Sequence, residues 1–198
     1  MKPVLTPVFT TAMDRIRKLP IPFLHKKPSG PFDAKSGFDI SSPARTLVWA
    51  VGIGLTLAVL IAVVRGLTGW APSHSNARDI AIAIHVTVVL PAIPLGAYLL
   101  LSRKGTKGHK QLGKLWVALM VATAVSAIFI RTGGSFSFIH IFVPITLIAS
   151  YKVVATARRG DMQGHRSEVL SLYLGALTIP GVVSLLLPGR LMNVWLFW

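Results

Sequence analysis

Five long apolar stretches run through the chain, and they constrain its fold more than any other feature. A helix needs about 20 consecutive apolar residues to cross the ~30 Å hydrocarbon core of a bilayer. The five stretches run from about residue 46 to 64, 80 to 101, 115 to 130, 136 to 155 and 169 to 187. None shows the alternation of a membrane β-strand. The sequence therefore predicts an all-α membrane protein with five spans.

The composition excludes most soluble enzymes. Charged residues make up only 14% of the chain and hydrophobic residues 53%, with a mean hydropathy of +0.64. A soluble domain carries about 25% charged residues. The chain also has no cysteine, which excludes disulfides, iron–sulfur clusters, covalently attached c-type haem and thiolate zinc sites.

The sequence divides into three regions. Residues 1–45 form a basic, proline-rich arm, residues 46–187 hold the five spans, and residues 188–198 form an aromatic tail. Within the arm, the apolar residues from Val8 to Leu19 share one helical face. That pattern fits either a helix on the membrane surface or a disordered basic tail. The aromatic tail is typical of a segment at the lipid interface.

The positive charges predict the orientation. We call the N-terminal side of the membrane side B and the opposite side A. Seventeen of the 21 Lys and Arg residues fall on side B and four on side A. Cytoplasmic loops carry the excess of positive charge, so we expect the N-terminus in the cytoplasm and the C-terminus in the periplasm. This distribution accounts for the net charge of +15 without nucleic-acid binding.

An internal repeat pairs four histidines. Residues 102–110 and 157–166 share two basic residues and a glycine, followed by Gly-His and another basic residue. His85 lies 24 residues before His109, and His140 lies 25 residues before His165. Spans 2 and 3 would thus form one hairpin and spans 4 and 5 a second, related by a pseudo-twofold axis along the membrane normal. We expect these four helices to form a bundle, with span 1 added outside it.

The repeat sorts the histidines into two facing pairs. His85 and His140 lie near side A, whereas His109 and His165 open their spans on side B. Six-coordinate haem b takes one imidazole on each face of the porphyrin, supplied by opposing helices. The pattern therefore predicts two haem b groups, one held by each pair. The cations expected to neutralise their propionates are Arg103 and Arg158 on side B and Arg131 on side A.

Plainer interpretations exist for each residue. A histidine in a membrane helix often serves as a hydrogen-bonding contact between helices, and basic loop residues often only set topology. Gly105 and Gly160 are typical of helix C-caps, and Gly108 and Gly164 of tight turns. His25 and His74 lie in polar loops and are expected to be solvated.

The chain resembles two protein families. From about residue 80 to 187 it resembles a bacterial membrane-domain family of unknown function, through His85, His109-Lys110-Gln111-Leu112-Gly113 and Gly160-Asp161-Met162-Gln163-Gly164-His165. The motif that begins at His109 is one residue longer than the family's His-x-x-Gly. The histidine topology is also similar to that of dihaem transmembrane cytochromes b, in which alternate helices pair. These resemblances imply a multi-pass protein of the bacterial inner membrane, and the second implies an electron carrier.

The leading functional hypothesis is thus a cytochrome b-like electron carrier, and whether it acts as a membrane oxidoreductase stays open. Quinone would be a partner besides the lipid bilayer. The alternative is a non-catalytic accessory subunit, bound to a larger membrane complex through the arm and the tail. A proton-coupled transporter or pH sensor is a third reading, but no acidic residue lies well inside a span.

Overall fold

A computed structural model describes residues 41–131 and 137–198. The possible surface helix within residues 8–19, most of the basic arm and the predicted start of span 4 at Phe136 lie outside these ranges. Every regular element in the described ranges is helical. The prediction of an all-α chain is confirmed there.

Seven α-helices and three shorter helical segments make up the described part of the chain. The α-helices are α1 Ser42–Thr68, α2 Ile80–Leu101, α3 Lys107–Ile128, α4 Phe142–Arg159, α5 Met162–Ser171, α6 Ile179–Leu186 and α7 Leu191–Phe197. Two 3₁₀ turns, Ser75–Arg78 and Phe138–Ile141, precede α2 and α4, and a π-helical segment, Leu172–Thr178, joins α5 to α6.

Five of the described helical stretches are long and apolar enough to cross a membrane. They are Ser42–Thr68, Ile80–Leu101, Lys107–Ile128, Phe138–Arg159 and Met162–Leu186. The chain is therefore a multi-pass membrane protein. We keep side A for the end of the helices where α1 finishes and α2 begins, and side B for the other end.

Spans 3 and 5 begin earlier than predicted because polar caps start them. The Thr106 side chain accepts a hydrogen bond from His109 N at 3.0 Å, and Asp161 Oδ1 accepts one from Gly164 N at 2.9 Å. Such caps satisfy backbone donors that a first helical turn leaves unpaired. The two copies of the repeat therefore share one local structure, in which a capped helix carries the histidine in its first turn or directly after it.

Among the glycines of the repeat, Gly160 plays the predicted part, whereas Gly105 and Gly164 do not. Gly160 caps α4 in the left-handed conformation at φ 72°, as expected. Gly105 is also left-handed, at φ 83°, but it lies beyond the C-cap of α2 at Ser102. Gly164 is helical, and a Cβ there would lie 2.2 Å from Asp161 Oδ2. Its role is to admit the capping carboxylate rather than to form a turn.

The π-helical segment has a local cause. Pro180 has no N–H to donate to the carbonyl of Ala176, and in a regular α-helix its ring would clash with that carbonyl. A wider turn removes the clash, and single π turns are often found at functional sites. The Thr178 hydroxyl donates to the Tyr173 carbonyl at 2.9 Å. The segment turns Tyr173, which is 0% exposed, into the centre of the bundle.

Span 1 takes part in the common core. Val48, Leu55, Val59 and Ala62 of α1 are buried in the same hydrophobic cluster as residues of the later spans. The predicted division into a four-helix bundle and an outlying first helix is therefore not confirmed. What the structure shows is five spans whose described core draws on all of them.

The C-terminal helix α7 folds back against α1. Trp195 is only 9% exposed, and it lies where a Cβ on Gly66 would clash with its ring. Arg65 of α1 donates to the Leu196 carbonyl, and Asn193 Nδ2 donates to the Leu185 carbonyl at 2.7 Å. One aromatic residue of the tail therefore serves internal packing, and docking of the tail on a larger complex stays a prediction.

A candidate cofactor cavity on side A

A cavity of ≈ 210 Å³ lies in the side A half of the helices. Its wall is mostly aliphatic, and it receives residues from α1, α2, α3, α4, the π-helical segment, α6 and α7. The polar side chains in the wall are Asn76, His85, Thr123, Ser137, His140, Thr146, Ser184 and Arg190. An apolar cavity with a few convergent polar groups is the usual form of a small-molecule or cofactor site.

His85 enters the cavity from α2 with one ring nitrogen already bonded. Its Nδ1 lies 3.1 Å from the Thr123 carbonyl oxygen and 3.0 Å from Ser126 Oγ, both on α3. Because a carbonyl oxygen only accepts, Nδ1 carries the proton of the neutral ring and donates it. Nε2 then holds the lone pair, which is the arrangement of a histidine ready to bind a metal.

His140 enters the same cavity from the 3₁₀ turn before α4. Its Nδ1 lies 3.0 Å from Ser137 N and 2.9 Å from Ser137 O, so the turn itself orients the ring. Its Nε2 is buried. His85 and His140 thus come from two different spans and line one cavity.

His109 and His165 lie outside this cavity, in the side B turns where α3 and α5 begin. They are close enough for their charges to interact. His165 Nδ1 donates to the Val153 carbonyl at 2.9 Å, which again leaves the lone pair on Nε2. His109 Nδ1 is buried and has no hydrogen-bond partner among the described residues.

The cation in the wall of the side A cavity is Arg190 rather than Arg131, whereas Arg103 and Arg158 lie on side B as expected. Arg131 is exposed, outside the cavity wall as the described residues form it. Arg103 and Arg158 are exposed at side B. Arg190 instead lines the cavity, and its Nη2 donates to Ser137 Oγ at 2.8 Å. No local sequence pattern indicated Arg190, since the loop after α6 brings it to the cavity only in the folded chain.

The side A loops close over the cavity through His74. Its Nδ1 accepts from Asn76 N at 3.1 Å, so its Nε2 carries the proton and donates to the Gly189 carbonyl at 3.1 Å. His74 is a partly exposed loop residue, and these two hydrogen bonds give it a structural role beside its contact with solvent. The histidine joins the loop before α2 to the loop before α7, and both loops contribute to the cavity wall.

Residues 82–193 match the family model described as "Predicted membrane protein (DUF2306)". The chain belongs to this family. The DUF2306 region contains all four paired histidines and Arg190, and it begins after α1. No curated protein and no solved structure matches the chain. The similarity to dihaem cytochromes b therefore receives no support from known proteins.

Zinc and haem iron differ in how many protein ligands they need. Within residues 41–131 and 137–198, no three His, Asp or Glu side chains come together to hold a metal ion. A tetrahedral zinc site needs at least three protein ligands. A haem iron needs only two axial ligands from the protein, because the porphyrin supplies the other four.

Proposed function

We propose that the chain is a cytochrome b-like transmembrane electron carrier, with one haem b between His85 and His140 and a second between His109 and His165. The observation that supports it most is that His85 and His140, from different spans, line one apolar cavity. Haem b, when bound, supplies one-electron oxidation and reduction.

The donor set of the side A cavity fits this cofactor. Six-coordinate haem takes two neutral imidazoles, and the hydrogen bond from His85 Nδ1 to Thr123 O sets the required tautomer. Outer hydrogen bonds of this kind hold a ligand's ring and raise its basicity. Arg190 in the cavity wall provides a cation for a propionate, which would form a charge-assisted hydrogen bond.

The apolar wall excludes water from the iron's surroundings. Side chains such as Val86, Ile93 and Leu177 line the cavity beside the histidines. A hydrophobic shell controls solvent access and hence the redox potential of a metal centre. On side B, the two histidines lie in the first turns of α3 and α5, and Lys104 lies near enough to His109 for their charges to interact. The two sites would therefore differ in potential.

Orientation and location follow the same proposal. With side B in the cytoplasm of a bacterial inner membrane, the His109–His165 pair lies near the cytoplasmic face and the His85–His140 pair near the periplasmic face. The His residues of one repeat are 24 positions apart, or roughly 35 Å along a helix at 1.5 Å per residue if the loop were helical too. The intervening loop shortens this distance, and the pairs lie toward opposite leaflets.

An absorbance spectrum tests the proposal. We expect the full chain, purified in mild detergent after haem-sufficient expression, to show a Soret band and a dithionite-reduced minus oxidised spectrum of b type. The matched control is a His85→Ala, His140→Ala, His109→Ala, His165→Ala protein prepared in the same way, which should show neither. A wild-type protein without a Soret band would contradict the proposal.

A further inference from the structure

We propose that the side B ends of α3 and α4 bind the headgroups of anionic phospholipids. This surface is separate from the histidine pairs, so the inference does not depend on haem. The cations that form it lie on the helix faces that meet lipid and at the depth of the lipid headgroups. Few carboxylates neutralise them.

The lysines of α3 continue the face of this helix that meets lipid. Lys107, Lys110 and Lys114 are exposed, and further along the helix Val121 and Val125 are 36% and 44% exposed. At 3.6 residues per turn, all five lie within an arc of roughly 60°. Exposed apolar residues of a spanning helix meet acyl chains, so the three lysines extend the lipid-facing stripe toward the headgroups.

The neighbouring helix α4 carries a second row of cations at the same end. Ile145 and Ile148 are 46% and 56% exposed, and Lys152 and Arg159 beyond them are exposed as well. These four residues also share an arc of roughly 60°, and α3 and α4 pack against each other. Membrane topology requires only that cations lie in or near the loops, and it does not require them to align with lipid-facing residues.

The depth of the two rows favours a lipid over a soluble acidic protein. Lys114 lies seven residues inside the start of α3 at Lys107, and Lys152 lies seven residues inside the end of α4 at Arg159. Seven residues are roughly 10 Å along a helix. Long lysine side chains near helix ends extend toward the interface, where the lipid phosphates lie. A protein in the cytoplasm would meet the helix ends, but the surrounding lipid would keep it from Lys114 and Lys152.

Few carboxylates compete for these cations. In the described part of the chain, the one ion pair that they form joins Lys152 Nζ to Glu168 Oε1 at 3.9 Å, and the Lys152 side chain stays 54% exposed. An exposed pair of this kind is weak, and an ammonium group has three donors. Asp161, the other acidic residue described on side B, caps α5 through Gly164 N. Anionic lipid phosphates supply the missing negative charge, and basic surfaces on the cytoplasmic side of spanning helices bind such headgroups.

Native mass spectrometry of lipid binding tests the inference. The full chain in detergent micelles is titrated with dioleoyl phosphatidylglycerol or with dioleoyl phosphatidylcholine, which differ only in the headgroup, and the bound lipid is counted. We expect phosphatidylglycerol to bind at least about 10-fold more tightly. Lys114→Gln should lower this preference about 5-fold, the usual contribution of one cation at an anionic lipid surface, whereas Lys114→Arg should keep it.

Arg78→Gln is the matched control for net charge. Arg78 is an exposed cation of the 3₁₀ turn before α2, on side A. Its loss changes the net charge as much as Lys114→Gln does, and it should leave the lipid preference unchanged. Equal binding of the two lipids by the wild-type chain would overturn the inference. Equal losses in Lys114→Gln and Arg78→Gln would also overturn it, because the overall charge would then attract the lipid rather than this surface.

Discussion

Replacing Gly96 with alanine should destabilise the protein, because two buried rings of neighbouring spans pack directly against this residue. A Cβ there would be 2.6 Å from Tyr173 Cδ2 and 2.7 Å from Trp116 Nε1. Neither ring can move aside easily. Tyr173 and Trp116 are 0% and 1% exposed, and Trp116 Nε1 donates to the Ala92 carbonyl at 3.0 Å.

The magnitude comes from two opposing terms. Overpacking a buried site costs typically about 1–3 kcal/mol, whereas alanine is favoured over glycine inside a helix by up to about 1 kcal/mol. Gly54 of α1 supplies the matched control, because a Cβ there meets nothing within 4 Å. Gly54→Ala should therefore be neutral or stabilising. The helix-propensity gain is common to both variants, so their difference isolates the overpacking term, about 1–3 kcal/mol.

Thermal unfolding in detergent, followed by tryptophan fluorescence, measures this difference. For a chain of this size each kcal/mol shifts Tm by about 2–4 °C, so Gly96→Ala should unfold about 2–12 °C below Gly54→Ala. Equal Tm values for the two variants would refute the reasoning, since they would mean that the core around Tyr173 and Trp116 has room for a methyl group.

Three further perturbations have defined outcomes. Asp161→Ala removes the cap of α5 and should lower the free energy of unfolding, measured by denaturation in detergent, by about 0.5–2 kcal/mol. Asp161→Asn should restore most of this loss, and equal losses for both variants would show that capping is not the cause. Ser126→Ala removes the second acceptor beside His85 Nδ1 and leaves the Thr123 carbonyl, so it should weaken haem binding by at most about 10-fold in a haem titration, an effect absent if His85 is not a ligand. Glu168→Gln breaks a 3.9 Å contact with Lys152, whose side chain is 54% exposed, and should change stability by less than about 1 kcal/mol; a larger loss would mean that the pair is shielded from solvent.

The sequence predicts helix boundaries best where a capping residue or a basic loop coincides with a change in hydropathy. Span 2 was predicted at residues 80–101, and α2 has the same bounds, because Asp79 caps its start and a basic loop follows its end. The predicted starts of spans 3 and 5 lie several residues after the observed starts of α3 and α5. Their first turns are polar and basic, so hydropathy alone misses them, although Thr106 and Asp161 mark the true helix starts.

Features that depend on tertiary contact could not be read from the sequence. The participation of α1 in the core depends on Gly52 and Gly66, which let Ala97 and Trp195 approach, and nothing local distinguishes such glycines from exposed ones like Gly54. The spacing of His85 and His140 did place them toward the same side of the membrane. Arg190 and Ser137 reach the cavity from loops far apart in the chain, and no spacing rule joins them.

The haem content of single histidine variants tests the central claim most directly. Haem per polypeptide would be measured as the pyridine haemochrome of full-length His85→Ala and His140→Ala proteins, beside His25→Ala in the basic arm as the matched control. We predict that each of the first two loses the side A haem, about half of the total, and that His25→Ala keeps it. Unchanged haem content in both His85→Ala and His140→Ala would contradict the assignment of these residues as a facing ligand pair.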